Sequence, residues 1–461
     1  MKRWNIKKLS KEDNNAKMAL YYQKTKVWGI EFLISFFFLI LLFAPPFRQV
    51  EFLPKYSWVL AAAGLLTLLD GDFREHIHFL TTRSLALWGV IGLGAVCACL
   101  IPILHGTWDF SYIPLYIGLL FSMLRAVLLV YVLFKRSPDN IMENLCRYFL
   151  NICVIYVCFT LIFAFIPSIR DFWLDKVLYG VIRSDYHAYV FRYSIDGFSA
   201  FHASTSFAFA ALIAGYAIAR EQKISYVLLA KYVFIAIGCC FYGRISFVGL
   251  GLSFVIIFTA KGQLKKNLGL LWRGTIVISV FLLLVEVLSM RSASVAGWKN
   301  WAFDIFRQIV VEGEITDYSF AHMFKDMYFL PKASTLFLGD GLYTDPGSQS
   351  YYMHTDVGYM RTVLYGGLPF LLISYAAWLY MSWCSFKVAS TMLEKTLVVL
   401  LVVLWGVMEM KGEAYMRYLY LSYPFYLALV SRQPRQKERI PARLMSILDR
   451  LSIERGKKNG R

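Results

Sequence analysis

Apolar side chains along this chain fall in continuous blocks of roughly 18–24 residues, the length of helix that crosses a bilayer core, rather than in short alternating segments. Runs such as 30–43 and 270–288 do not alternate, which argues against a β-barrel. Hydrocarbon leaves only barrels or helices, because every backbone polar group must be satisfied inside the structure. The pattern therefore predicts an all-α polytopic membrane protein. Its twelve spans are expected at 27–46, 56–70, 84–104, 112–134, 148–167, 201–219, 225–242, 244–260, 270–289, 358–381, 395–410 and 414–430. Two connecting segments, 168–200 and 290–357, are too long for turns, and loops of that size in a compact protein are usually functional. The second is rich in aromatics, including Trp298, Trp301, Phe303 and Phe324, and the apolar spacing from Trp301 to Val311 predicts a short amphipathic helix on the interface. A structured lid is expected from these two loops.

Composition strengthens the reading. Of 461 residues 58% are hydrophobic and 17% charged, with a mean hydropathy of +0.53, which a water-soluble core does not use. The net charge of +18 is concentrated at the ends: the first 26 residues hold eight Lys/Arg and the tail from Ser431 holds ten. That placement fits cytoplasmic flanks contacting anionic headgroups and not nucleic acid. Residues 1–26, 27–430 and 431–461 thus read as basic arm, membrane bundle and basic tail. An even number of spans puts both termini in the cytoplasm, and Arg74, Arg83, Lys135, Arg136, Arg147, Arg220, Lys223, Lys261, Lys265, Lys266 and Lys387 then fall on that side too. Both long loops face outward. The basic start runs into an apolar segment without a small-residue cleavage pattern, so 27–46 reads as the first span and not as a signal peptide. The eight cysteines lack zinc spacing and a disulfide framework.

Ionisable groups at membrane depth are functional candidates because their desolvation is costly. Four arginines lie at the outer level: Arg192 before the sixth span, Arg244 in the Tyr242-Gly243-Arg244 turn, Arg291 after the ninth span, and Arg361 one turn into the tenth. Arg192 has Asp196 at helix-turn spacing, with His202 close behind; Arg361 follows His354-Thr355-Asp356 and needs an acidic partner such as Asp356 or an anionic ligand. Arg291 also reads as a side chain snorkelling from a helix end. Arg125 sits mid-span and is expected to pair internally, and Glu409 to Glu413 with Arg417 reads as a charged outer turn. Several guanidiniums at one lipid–water boundary suit a lipid pyrophosphate, whose charge on departure they stabilise. A neutral histidine or a carboxylate would accept the proton of an attacking hydroxyl. Asp70-Gly71-Asp72 is an acidic pair on the wrong side, a polar turn at a helix end, and the outer acids lack ligand spacing, so no metal and no cofactor are expected.

The segments Arg192 to Phe198, Gly243-Arg244, Leu336 to Gly341 and His354 to Gly367 together resemble the Wzy-type O-antigen polymerases and the related O-antigen ligases, over about residues 168 to 425. The resemblance implies a GT-C-type glycosyltransferase of the bacterial inner membrane. It would join oligosaccharide repeat units carried on undecaprenyl pyrophosphate at the periplasmic face, with inversion and without metal. By motif position Arg192, Arg244 and Arg361 would lie near the pyrophosphate and His354 with Asp356 would serve the acceptor; Arg291, at the same outer level, joins the pyrophosphate set, and Arg244 counts with His354 and Asp356 as catalytic. A chain-length-regulating co-polymerase is the implied partner. The ligases place a glycine nine residues after His-[Asn/Ser/Gln], whereas His354-Thr355 reaches Gly366 after ten, which favours a polymerase over a ligase. A flippase or transporter of lipid-linked oligosaccharide is the rival class, but it would concentrate polar groups at the midplane.

Overall fold

In a computed structural model, the structure describes residues 29–48, 55–181, 183–184, 187–222, 225–259, 264–308, 310, 323–348 and 350–432. The basic arm and the tail beyond Arg432 lie outside the described residues. Helices dominate: α1 (Gly29–Phe43), α2 (Tyr56–Thr67), α3 (Gly71–His76), α4 (Thr82–His105), α5 (Tyr112–Arg136), α6 (Ile141–Phe165), α7 (Pro167–Phe172), α8 (Phe201–Arg220), α9 (Tyr226–Tyr242), α10 (Phe247–Thr259), α11 (Leu264–Arg291), α12 (Ala293–Arg307), α13 (Ala333–Leu338), α14 (Gly358–Val388), α15 (Met392–Glu409) and α16 (Ala414–Val430). Six segments, Thr82–His105, Tyr112–Arg136, Pro138–Phe165, Phe201–Arg220, Trp272–Ser289 and Gly358–Val388, are long and apolar enough to cross a membrane. Each of the twelve expected segments is helical over most of its length. Among the described residues the single sheet is a hairpin, Tyr193–Ser194 against Gly197–Phe198.

Position in the bundle follows residue size and polarity. Along α8, Ala203, Ala208, Ala210, Ala211 and Ala214 are fully buried and let neighbours approach closely, as small residues do between membrane helices. A Cβ on Gly249 of α10 would lie 2.1 Å from the Ala208 carbonyl oxygen, so that crossing tolerates only glycine. The tyrosine-rich α16 is buried nearly throughout, whereas α11 exposes Ile278, Val280, Leu283 and Leu284 and presents a lipid-facing surface. Mid-bundle Arg125 donates from Nε to the Leu41 carbonyl and from Nη2 to Ser122, both at 3.0 Å, so the internal pairing expected of it is present.

Three local expectations change. Asp70 does not only terminate a helix: its carboxylate accepts from the Phe73 amide as the N-cap of α3 and pairs with Lys135 at 2.6 Å. The amphipathic helix expected from Trp301 to Val311 starts earlier, at Ala293, because Ser292 interrupts the preceding helix and its hydroxyl takes the Val295 amide. Val311 lies outside the described residues. Its apolar face, Val295, Trp298 and Ala302, is buried against the bundle, with Trp298 packed on Phe191 and Phe241 at 4.9 and 5.4 Å. That helix is part of the protein core and does not simply float on the interface.

Candidate functional site

Five of the charged positions converge on one end of the bundle. Arg192 precedes α8, Arg244 follows α9, Arg361 lies in the first turn of α14, and Glu413 and Arg417 stand at the start of α16. The helix ends touch: Phe201 and His202 pack on Tyr418 at 6.1 and 5.2 Å, a Cβ on Gly243 would strike Ser204, and one on Gly358 would meet the Gly412 carbonyl. Within that end the charges form two groups.

The first is built by the hairpin and α12. Arg192 lies between Tyr189 and Trp301, its guanidinium carbon 3.9 and 4.3 Å from the two ring centroids, and Arg244 faces the same Trp301 ring at 5.5 Å. Planar stacking suits guanidinium and excludes water from its faces. The Arg192 Nε is buried without a hydrogen-bond partner, and no carboxylate forms an ion pair with Arg192 among the described residues. Burial pushes this guanidinium down to about 10, with the like charge of Arg244 adding to the effect and Tyr189 opposing it. An arriving anion would relieve both penalties.

Asp196, expected as the partner of Arg192, is turned away. It occupies the tip of the hairpin, where Oδ1 accepts from the Tyr156 hydroxyl at 2.6 Å and Oδ2 faces His202 Nε2 at 3.6 Å. The two-residue turn Ile195-Asp196 is the cause, since it reverses the chain and Ile195 is driven into the core.

The second group surrounds Arg361, which is 5% exposed. Its partner is Glu413, at 3.2 Å, and not Asp356. Tyr351 and Tyr343 stack on the guanidinium at 3.6 and 4.1 Å, Tyr343 donates its hydroxyl to Glu413 at 2.8 Å, and Arg417 reaches Glu413 at 3.5 Å. Burial and the Glu413 charge push the Tyr343 phenol up, which keeps it a donor. Even so, Nε and Nη2 of Arg361 and Oε1 of Glu413 are buried without hydrogen-bond partners among the described residues, an expensive state that polar guests of either sign would relieve.

Backbone chemistry sets the position of Arg361. Pro369 has no amide hydrogen for the Tyr365 carbonyl, and the helix breaks at Gly366-Gly367, where Gly367 takes φ +72°. The freed carbonyls of Leu364 and Tyr365 accept instead from the amides of Asp340 and Gly341, at 2.7 and 3.0 Å. Those donors belong to the arch Leu336–Gly341, where Gly339 has φ +76° and a Cβ on it would strike the Tyr365 carbonyl. Two glycine motifs read separately in the sequence are therefore one junction. Gly358 has its own reason: a Cβ there would lie 1.9 Å from Oε2 of Glu409, a fully buried carboxylate that accepts from the Tyr415 amide and the Tyr375 hydroxyl. The loop that follows the arch is pinned by Asp109, whose carboxylate accepts from the Tyr343 and Thr344 amides at 2.8 Å. Burial alone would raise the Asp109 carboxyl, but hydrogen bonds from Ser111, Thr344 and Tyr343 hold it below the usual range.

His354 joins the second group through Tyr351, whose carbonyl takes the His354 amide at 2.9 Å. The imidazole itself is exposed and its Nδ1 meets Ser350 Oγ at 3.0 Å. Met353 and His354 both have positive φ, 56° and 53°, strain that side-chain residues rarely carry. Asp356 is half-buried beside Thr355, which donates to the Met327 carbonyl at 3.0 Å. Arg291 is exposed at the end of α11 and enters neither group among the described residues. The sequence placed His202 and Asp196 near Arg192 and the Glu409–Glu413 turn at the outer end, but it did not pair Asp196 with His202 or Glu413 with Arg361, and it carried no signal for either contact. No family model matches the chain, and no curated protein or solved structure is significantly similar to it.

Proposed function

We propose that this protein is a membrane glycosyltransferase that polymerises oligosaccharide repeat units carried on undecaprenyl pyrophosphate, in O-antigen or related surface polysaccharide synthesis. The observation that carries the reading is the Arg192–Arg244 pair on Trp301, half-buried cations at one end of a membrane bundle, with no carboxylate paired to Arg192 among the described residues. On this reading the chain spans the bacterial inner membrane twelve times in a GT-C-type arrangement, with both termini cytoplasmic and the arginines periplasmic. The polyprenyl tail stays in the bilayer while its diphosphate reaches the guanidiniums at headgroup level. As the anomeric carbon leaves the diphosphate, charge grows on the departing oxygen, and preset guanidiniums favour that state over the ground state. A hydroxyl at the non-reducing end of a second lipid-linked unit attacks from the opposite face, which inverts the sugar. No cofactor is invoked. Arg361, Arg417 and Glu413, with the faces of Tyr343 and Tyr351, offer the mixed donors, acceptors and rings that bind carbohydrate hydroxyls. A chain-length-regulating co-polymerase is the proposed partner.

Incubating the purified protein with synthetic lipid-pyrophosphate repeat units, with and without chelator, tests this directly: polymer ladders in both conditions are expected. Gene deletion separates the neighbouring classes. Loss of the polymerase leaves single repeat units on the acceptor, loss of a ligase leaves none, and loss of a flippase strands units inside the cell.

A further inference from the structure

Asp196 and His202 belong to neither arginine group, yet the hairpin that carries Arg192 and the first turn of α8 beside α16 bring them face to face. Asp196 stands at the tip of a hairpin whose base is Arg192, closed by the Ser199 amide donating to the Arg192 carbonyl at 2.9 Å. The tip points into the protein: Ser194 Oγ donates to the Tyr156 carbonyl at 2.8 Å, and Trp173 Nε1 donates to the Ile195 carbonyl at 2.9 Å. His202 lies in the first turn of α8, held by the rings of Phe43 and Tyr418 at 5.5 and 5.2 Å. Its Nε2 faces Asp196, while its side chain is 28% exposed against 9% for Asp196. The imidazole is thus the open member of the pair and the carboxylate the enclosed one. The titratable and charged groups facing them are Tyr156 from α6, Tyr242 from α9, and Arg417, Tyr418 and Tyr420 from α16.

A purely structural hairpin anchor does not call for a carboxylate, since the Tyr156 hydroxyl would donate as well to an asparagine. We propose that His202, oriented by Asp196, accepts the proton of the acceptor sugar hydroxyl, an assignment that rests on the polymerase reading. With Nε2–H directed at Asp196, the lone pair of Nδ1 is the basic site. The acceptor oxygen bonds to the anomeric carbon as the bond from that carbon to the diphosphate oxygen breaks; the electron pair leaves with the diphosphate, and the hydroxyl proton passes to Nδ1. The imidazolium formed is stabilised by the carboxylate behind it, as in other acid–histidine pairs. One hairpin then carries both a grip on the leaving group and the orienting acid. Burial raises the Asp196 carboxyl to about 6, against the Tyr156 hydrogen bond, which leaves it ionised at neutral pH and places an acid limb within reach of assay.

The test uses the full-length protein in lipid nanodiscs with synthetic repeat units, comparing wild type, His202→Gln, Asp196→Asn and His354→Ala from pH 5 to 9. His202→Gln is expected to lower kcat by about 100-fold or more with little change in KM for the acceptor. Asp196→Asn is expected to fold normally and to lose the acid limb near pH 6. His354→Ala is expected to keep the wild-type pH profile. A wild-type kcat in His202→Gln overturns the assignment, as does an unshifted acid limb in Asp196→Asn, which applies even if His202→Gln fails to fold. If the wild type forms no polymer, the polymerase reading falls and the assignment with it.

Discussion

The two arginine groups solve the same problem in opposite ways. Arg361 meets its own carboxylate in Glu413, so its charge belongs to the fold, and removing either partner strands the other in a dry place. Arg192 has aromatic faces but no acid among the described residues, so its charge costs stability until something from outside meets it. Compensated charge holds the end of the bundle together, whereas the Arg192 guanidinium has no such acid among the described residues. Under the proposed function, that contrast would make Arg192 the contact to the diphosphate.

The sharpest break of this contrast is Glu413→Gln, which removes the countercharge of Arg361 while keeping its shape. A loss of about 3–5 kcal/mol is expected, read as a fall in thermal midpoint by fluorescence size-exclusion and in membrane abundance. Arg192→Ala should do the reverse. Activity should drop by about 100- to 1,000-fold, while the thermal midpoint stays level or rises; Arg244→Lys, which keeps charge but loses the fork, should likewise lose polymer at normal abundance. If both variants unfold the protein, the two groups are alike and the contrast is void.

Asp196 sharpens the comparison through pH. Its carboxyl is raised to about 6 from an ordinary 3.8, so between those values the folded state binds more protons than the unfolded one. Stability therefore falls as pH rises through that window and levels off above it, by a total of about 3 kcal/mol as an order of magnitude. Asp196→Asn should flatten that slope in melting curves taken from pH 4 to 7. Arg291→Ala should do least: exposed at a helix end, it is expected to shift stability by less than about 0.5 kcal/mol and leave polymer length unchanged.

Arg192, Arg244 and Arg361 were legible as candidates because a guanidinium beside an apolar run stands out against its neighbours. Their partners were not. Spacing suggested Asp196 for Arg192 and Asp356 for Arg361, but a two-residue hairpin turn reverses the first, and the second is displaced by Glu413, which lies far along the chain and read as part of a charged outer turn. Depth is a property of packing that local composition does not carry. The turn glycines at 339 and 341 were visible as candidates, but the tenth span was expected to run unbroken through Gly366 and Gly367; the bonds that join the two segments depend on a proline removing one donor and an arch supplying others. Helix α12 was found at the right place with the wrong start, since a serine cap outweighs apolar periodicity at an end.

The glycine break divides α14 into a short upper piece bearing Arg361 and a lower piece, 367–388, about 33 Å long at 1.5 Å per residue, close to the thickness of a hydrocarbon core. Only the lower piece has to answer to the lipid. Thinner or thicker bilayers are then expected to be met by tilt about the glycine pair, while the hydrogen bonds of the arch hold the upper turn to the loop. The guanidinium is thereby insulated from hydrophobic mismatch, and its surroundings should stay constant across acyl-chain lengths that reorient the rest of its helix.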